Sequence, residues 1–402
     1  MNDRRLESTT AAKEEPCEFC NVNHTVGNIF SWVQMTPTQE KLISAGCSAL
    51  DAEALLLVLA ALRHHFNPDS PLDAEASDQV RRRALELAHQ NKIMWHTGAT
   101  LGTGSLANEV QRLAIATTLH NAFIVDQLVY IMDKILINNK NLIVLKGVAQ
   151  QEVIYGNTSV RASNDIDILS RPSYFFKARE MVTKSGFEIV TPSPWWWAFL
   201  GEQHLVKFLP RQVSLDLHHQ LHQPGVPGLN NIDGLFQRAR RVDFGTASIL
   251  TLDTSDIALL LVISVCKALL SREANTGFIT DLFALLIADA PYSVNSFLTH
   301  AATEGLRGHA LVALRILDLL FGTTYLPFEG KKPLAHVDDT TLLAMSMTPQ
   351  SPLIAWPRRR TLISAFCDGN RWRAGRQLAL VYSSELAMHL LERPYKPAFE
   401  TK

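Results

Sequence analysis

The chain has no excess of charge of either sign, no long apolar run and few cysteines, and each shortage removes a class of function. Across 402 residues the formal net charge is −1. That argues against binding nucleic acid through bulk positive charge and makes a long duplex the least attractive partner. Five cysteines, an odd number, form no disulfide framework, so a reducing, cytoplasmic location is expected. Met1-Asn2-Asp3-Arg4-Arg5-Leu6-Glu7 leads into no apolar stretch of the secretory type. The longest apolar run, Ile257 to Cys266, is broken by Lys267 and reads as too short to span a bilayer, so no membrane partner is expected. No Walker-type or kinase glycine loop is present, which speaks against transfer of a γ-phosphate.

What is there divides the chain into four parts. Residues 1–24 are polar and show no helical stripe, and they read as a flexible tail. Residues 25–139 carry apolar positions at three- and four-residue spacing and read as helical, with Gly98, Gly102 and Gly104 marking a loop. These glycines follow no strand and make no dinucleotide fingerprint. In residues 140–228 the texture changes to short strands: Leu142 to Leu145, Asp165 to Leu169, Phe187 to Val190, and an antiparallel pair, His204 to Phe208 and Gln212 to Leu217. Residues 229–402 return to helices, with a proline-rich loop region between Thr323 and Arg358.

The chemistry is concentrated in Asn164-Asp165-Ile166-Asp167-Ile168-Leu169. On a strand, side chains alternate, so Asp165 and Asp167 share one face and Ile166 and Ile168 the other. Two like charges on one face are unfavourable without a cation or base beside them. A third acid, Asp216 in Val213-Ser214-Leu215-Asp216-Leu217-His218, falls on a later strand. Three such carboxylates suit two Mg²⁺ ions, with Mn²⁺ as the alternative, because hard cations take oxygen ligands and leave room for phosphate. Before them, Lys146-Gly147 ends a strand at a helix start, where backbone amides and an ammonium can hold an anion. Arg161, just ahead of the acids, suggests a phosphate contact or a structural ion pair.

Together Leu145-Lys146-Gly147, Tyr155, Arg161, Ser163 to Leu169, Gly186-Phe187 and Asp216-Leu217-His218 resemble the polymerase-β-like nucleotidyltransferase superfamily, and within it the bacterial uncharacterised nucleotidyltransferases. The resemblance covers about residues 140–220. It implies an α+β fold in which a small mixed-sheet core, residues 140–228, is embedded between N-terminal and C-terminal helical regions. It implies a metal-dependent enzyme that moves NMP from an NTP such as ATP to a hydroxyl and releases pyrophosphate. Asp165, Asp167 and Asp216 are the expected catalytic and metal-binding residues, and Lys146, Gly147, Arg161 and Ser163 the expected nucleotide contacts. The resemblance leaves the acceptor unidentified, among a small molecule, a peptide, a protein side chain or an RNA end. One departure stands out: most members carry Gly-Ser where this chain has Lys146-Gly147. That departure keeps open a second reading, a catalytically degenerate nucleotide-binding or scaffold protein of a biosynthetic complex.

Other features favour plain structural roles. Trp195-Trp196-Trp197 reads as core or a partner surface before it reads as base stacking. His204 and His218 flank the acids, with hydrogen bonding as good a reading as substrate contact. Cys17, Cys20 and His24 offer three ligands, one short of a structural zinc site.

Overall fold

The structure is a computed structural model, and it describes residues 37–392 apart from 73–75, 138, 192, 209–210, 246, 289–292 and 327–332. Cys17, Cys20 and His24, with the tail they occupy, lie outside the described residues, as does Pro210 in the turn between the antiparallel strands.

The N-terminal helices are α1 (Gln39–Ser44), α2 (Ala49–Phe66), α3 (Asp78–Gln90), α4 (Met94–Leu101) and α5 (Ala107–Tyr130). Their starts are written in the sequence: the Thr38, Ser48 and Ser77 side chains each accept a first-turn amide, satisfying donors a helix start leaves free. Gly98 does not mark a loop as expected. It sits inside α4, where its missing side chain lets Val110 of α5 approach closely.

The mixed region holds β1 (Leu142–Val144), α6 (Val148–Tyr155), β2 (Ile166–Ser170), α7 (Phe175–Lys184), β3 (Glu188–Ile189), β4 (Glu202–Lys207) and β5 (Val213–His218). The following segment departs from the all-helical expectation. After α8 (Ile232–Arg238) comes a hairpin, β6 (Arg240–Phe244) and β7 (Ala247–Thr251), which joins the same sheet. β6 is Arg-Arg-Val-Asp-Phe and β7 Ala-Ser-Ile-Leu-Thr, so neither carries a long apolar run that would announce it. The seven strands are ordered β3-β4-β5-β2-β1-β7-β6. The β2/β5 and β1/β7 pairs are parallel, while β1/β2, β3/β4, β4/β5 and β6/β7 are antiparallel.

Helices α9 (Thr254–Ser271), α10 (Thr276–Ala288), α11 (Val294–Thr303), α12 (Arg307–Phe321), α13 (Asp339–Met347), α14 (Arg359–Phe366) and α15 (Arg371–Glu392) complete the described chain. Helix α13 lies inside the stretch expected to be loop. The apolar run near Ile257 is longer as a helix than as a sequence: α9 has 18 residues, enough by length and composition to cross a membrane. Some 67% of it is buried within the protein, which is how a core helix of that composition behaves.

The sheet separates two cores. Ile166, Ile168, Leu215 and Leu217 pack on one face with Ile124 and Leu128 of α5 and Phe175, Ala178 and Val182 of α7. Ile143, Leu145 and Leu169 face the larger core built on α2, α9, α10 and α12. At the acids, Ile166 and Ile168 enter the first core and Asp167 between them points to the other face.

Candidate metal and nucleotide site

Asp167 on β2 and Asp216 on β5 are register partners across a parallel pair. Their strand neighbours Ile166, Ile168, Leu215 and Leu217 go into the α5–α7 core. The carboxylates therefore emerge together on the opposite face. Asp165 lies one residue ahead of β2 and is half-buried, whereas Asp167 is fully buried. The charge of Asp167, and then burial, push the Asp165 carboxyl above its ordinary range.

Asp167 is the hub. Its Oδ1 lies 2.8 Å from the Lys146 ammonium and 3.0 Å from His218 Nε2. Burial alone would raise this carboxyl, but Lys146 and the His218 hydrogen bond outweigh it and hold the group ionised well below the carboxylate range. Its Oδ2 is buried and has no hydrogen-bond partner among the described residues. An ionised oxygen left so costs several kcal/mol unless a cation completes it. One ligand atom each from Asp167, Asp216 and His218 lies within 4.8 Å of the others. Carboxylate oxygens with an orphaned lone pair are the donor set a hard divalent ion takes.

Around this hub the imidazoles are tied to acids. His204 on β4 is the register partner of Asp216, and its Nδ1 lies 2.5 Å from Asp216 Oδ1. That hydrogen bond raises the imidazole above its ordinary pKa, against the effect of burial. His218 Nδ1 lies 3.4 Å from Glu202 Oε2, across the same strand pair.

The turn after β1 matches its expected form. Gly147 has φ +73° and starts α6 as its N-cap. A Cβ there would sit 3.5 Å from Ser163 Oγ and 3.6 Å from the Asp165 carbonyl. The turn is thus laid directly over the residues preceding the acids. Ser163 is buried beneath it: its hydroxyl accepts from Gln151 Nε2 at 3.0 Å and its amide donates to Asn121 Oδ1 at 2.9 Å. Asn121 Nδ2 also donates to the Arg161 carbonyl at 2.7 Å and to that of Thr158. A fully buried asparagine on α5 and a buried glutamine on α6 therefore fix the 158–163 segment that delivers Asp165.

Residues 76–322 match the family described as uncharacterised nucleotidyltransferase, more than half of the 402-residue chain. The chain belongs to this family. No curated protein and no solved structure matches it.

In this nucleotidyltransferase the structure brings Lys146, Gly147, Ser163, Asp165, Asp167 and Asp216 to one place. Arg161 behaves differently. Its guanidinium is paired with the buried Asp281 of α10, which also accepts from Tyr155 Oη at 2.8 Å and Gln150 Nε2 at 3.2 Å. Of the two readings open for Arg161, this is the structural ion pair. The Trp195–Trp197 run opens a π-helical turn, Trp196–Leu200, with Trp195 as its N-cap; Trp195 Nε1 donates to the Ser384 carbonyl at 2.8 Å and Trp197 packs on the α5–α7 core.

One residue near the site escaped sequence reasoning. Lys267 on α9 makes no ion pair among the described residues, yet it feels the charges of Glu202, Lys146, Asp167 and Asp216. Burial and the nearby Lys146 outweigh those acids and lower its ammonium below the ordinary range. In sequence its only signal is the break it makes in an apolar run.

Proposed function

We propose that the protein transfers a nucleoside monophosphate from an NTP to a hydroxyl of an acceptor and releases pyrophosphate. The observation that carries this reading is the fully buried Asp167 with an unpartnered Oδ2, in register with Asp216 and beside Asp165. Mg²⁺ or Mn²⁺ held by Asp165, Asp167 and Asp216, with His218 at its edge, would neutralise phosphate charge and acidify the acceptor hydroxyl.

The chain's own residues supply position and proton handling. The amides that open α6 after Gly147 would hold the phosphates, in the way helix starts bind anions. The acceptor oxygen forms a bond to the α-phosphorus as the bond to the bridging oxygen breaks, and pyrophosphate leaves with that electron pair. The hydroxyl proton passes to the Asp216 carboxylate, which His204 orients through its Nδ1. With a cation on Asp167, the Lys146 ammonium, now 2.8 Å from that carboxylate, would be free to contact the triphosphate.

The Lys146–Asp167 pair also supports a second reading, a degenerate binding protein in which the ammonium permanently takes the cation's place. The two readings separate in one experiment: incubation with Mg²⁺ and α-labelled NTPs, followed by a search for pyrophosphate and for labelled co-purified acceptor. Transfer that is abolished by Asp165→Asn and by Asp167→Asn supports the enzyme. NTP binding without turnover supports the degenerate reading, and labelling unaffected by either variant refutes the metal site.

A further inference from the structure

Beside the acidic box lies a cavity of about 320 Å³, walled by α4, α5 and the 159–164 segment. Its apolar side includes Trp95, Leu113 and Ala114, and its polar side Lys92, Arg161 and Asn164. The size falls at the lower end of small-molecule sites, ~300–1,000 Å³, which suits a nucleoside and not a polymer. Trp95 is 39% exposed, an uncommon state for a large ring on a helix that is otherwise well packed. His65 and His96 brace the indole edge-on, at 5.4 and 4.9 Å between centroids. Asn164 makes no hydrogen bond to the described residues, and the next residue in the chain is Asp165.

The geometry points to this cavity as the pocket for the purine or pyrimidine base of the NTP, with Trp95 as its stacking platform and Asn164 as a donor and acceptor for the base edge. The inference rests on the nucleotidyl-transfer reading above. The side of the site on which the cavity lies decides between base and acceptor. The proton-accepting pair Asp216–His204 belongs to β5 and β4, so the hydroxyl approaches from there. None of the cavity's lining comes from β4 or β5; besides the N-terminal helices it includes the segment that carries Ser163 under the Lys146–Gly147 turn. A planar ring on the indole and a triphosphate at the α6 start would thus share one side of the carboxylates. The N-terminal helices, outside the sheet, would set base preference.

The test is calorimetric titration of the full chain with Mg²⁺ and each of the four NTPs, and separately with Mg²⁺ and inorganic tripolyphosphate. Trp95→Ala removes the platform, and Ala114→Trp, an exposed helix position, fills the cavity without disturbing a core. The expected result is NTP affinity weakened about tenfold or more in both variants, with tripolyphosphate affinity unchanged. Unaltered NTP affinity in Ala114→Trp, with its fold checked by circular dichroism, overturns the base assignment and leaves the cavity to the acceptor. A wild-type chain that binds neither NTP nor tripolyphosphate sinks the nucleotidyl-transfer reading itself, and the pocket with it. Binding that is lost for both ligands only in Asp165→Asn leaves that reading standing.

Discussion

Arg161, four residues ahead of Asp165 in the chain, is held by Asp281 on α10, so the loop that delivers the acids is locked to the C-terminal helices by a buried ion pair. Removing one partner of such a pair strands the other charge, at a cost of about 3–5 kcal/mol. Asp281→Ala should lower unfolding free energy in urea by about that much. Arg161→Met with Asp281→Leu, which removes both charges, should recover part of the loss. A loss below about 1 kcal/mol for Asp281→Ala would show that the pair does not hold the loop.

Lys146 sits at 2.8 Å from the carboxylate oxygen that a metal would need nearby. Lys146→Ala should therefore act in opposite directions on two steps. Mn²⁺ affinity, followed by electron paramagnetic resonance, should tighten because a competing cation is gone. NTP transfer should fall by about tenfold or more because a phosphate contact is gone. Weaker Mn²⁺ binding in this variant would contradict the competition.

Gly147→Ala places a side chain at φ +73°, ψ −135°, outside the left-handed helical region and open essentially to glycine alone, which costs about 1–3 kcal/mol. The new methyl would meet Ser163 Oγ and the Asp165 carbonyl at ordinary contact distance, so strain and not collision is the expected cause. Stability should drop by that small amount, whereas NTP affinity should drop further because the α6 amides turn away. Equal, slight effects on both would mean that the turn does not cradle phosphate.

His309 on α12 is fully buried, and neither ring nitrogen has a hydrogen-bond partner among the described residues. Burial, assisted by the charge of Arg373, lowers its pKa from 6.5 to about 3. His96 on α4 is likewise buried without partners and is held well below 6.5, first by burial. A depressed histidine means that the unfolded chain binds more protons, so stability is complete above about pH 6.5 and is lost as pH falls toward 3. The slope is up to about 1.4 kcal/mol per pH unit for each group. Thermal melts between pH 7 and 4 should show that decline, and His309→Phe should make it shallower. Identical slopes for wild type and variant would remove His309 as its source.

Much of the site was legible because its signals are local. The i, i+2 spacing of Asp165 and Asp167 on a strand, the glycine after Lys146, and the third acid on Val213–His218 each follow from strand alternation and turn chemistry. The partners of those residues were not legible, because they come from distant segments. Asp281 lies 120 residues beyond Arg161, and Asn121 lies 42 before Ser163. Lys267 looks in sequence like a mere interruption of an apolar helix. The β6–β7 hairpin was hidden for another reason: Arg240, Arg241 and Asp243 give it no apolar alternation of the kind β2 and β5 show.

That hairpin has a practical consequence for anyone cutting the gene. β7 lies parallel to β1, with Val144 opposite Thr251 and the Thr251 hydroxyl donating to the Val144 carbonyl at 2.8 Å. A fragment that stops near residue 228 would leave β1 as a bare edge of Leu-Ile-Val, the kind of strand that pairs with its neighbours in solution. Such a fragment should precipitate on expression even if every residue of the acidic box is intact, and a fragment that keeps this edge covered must run past Thr251.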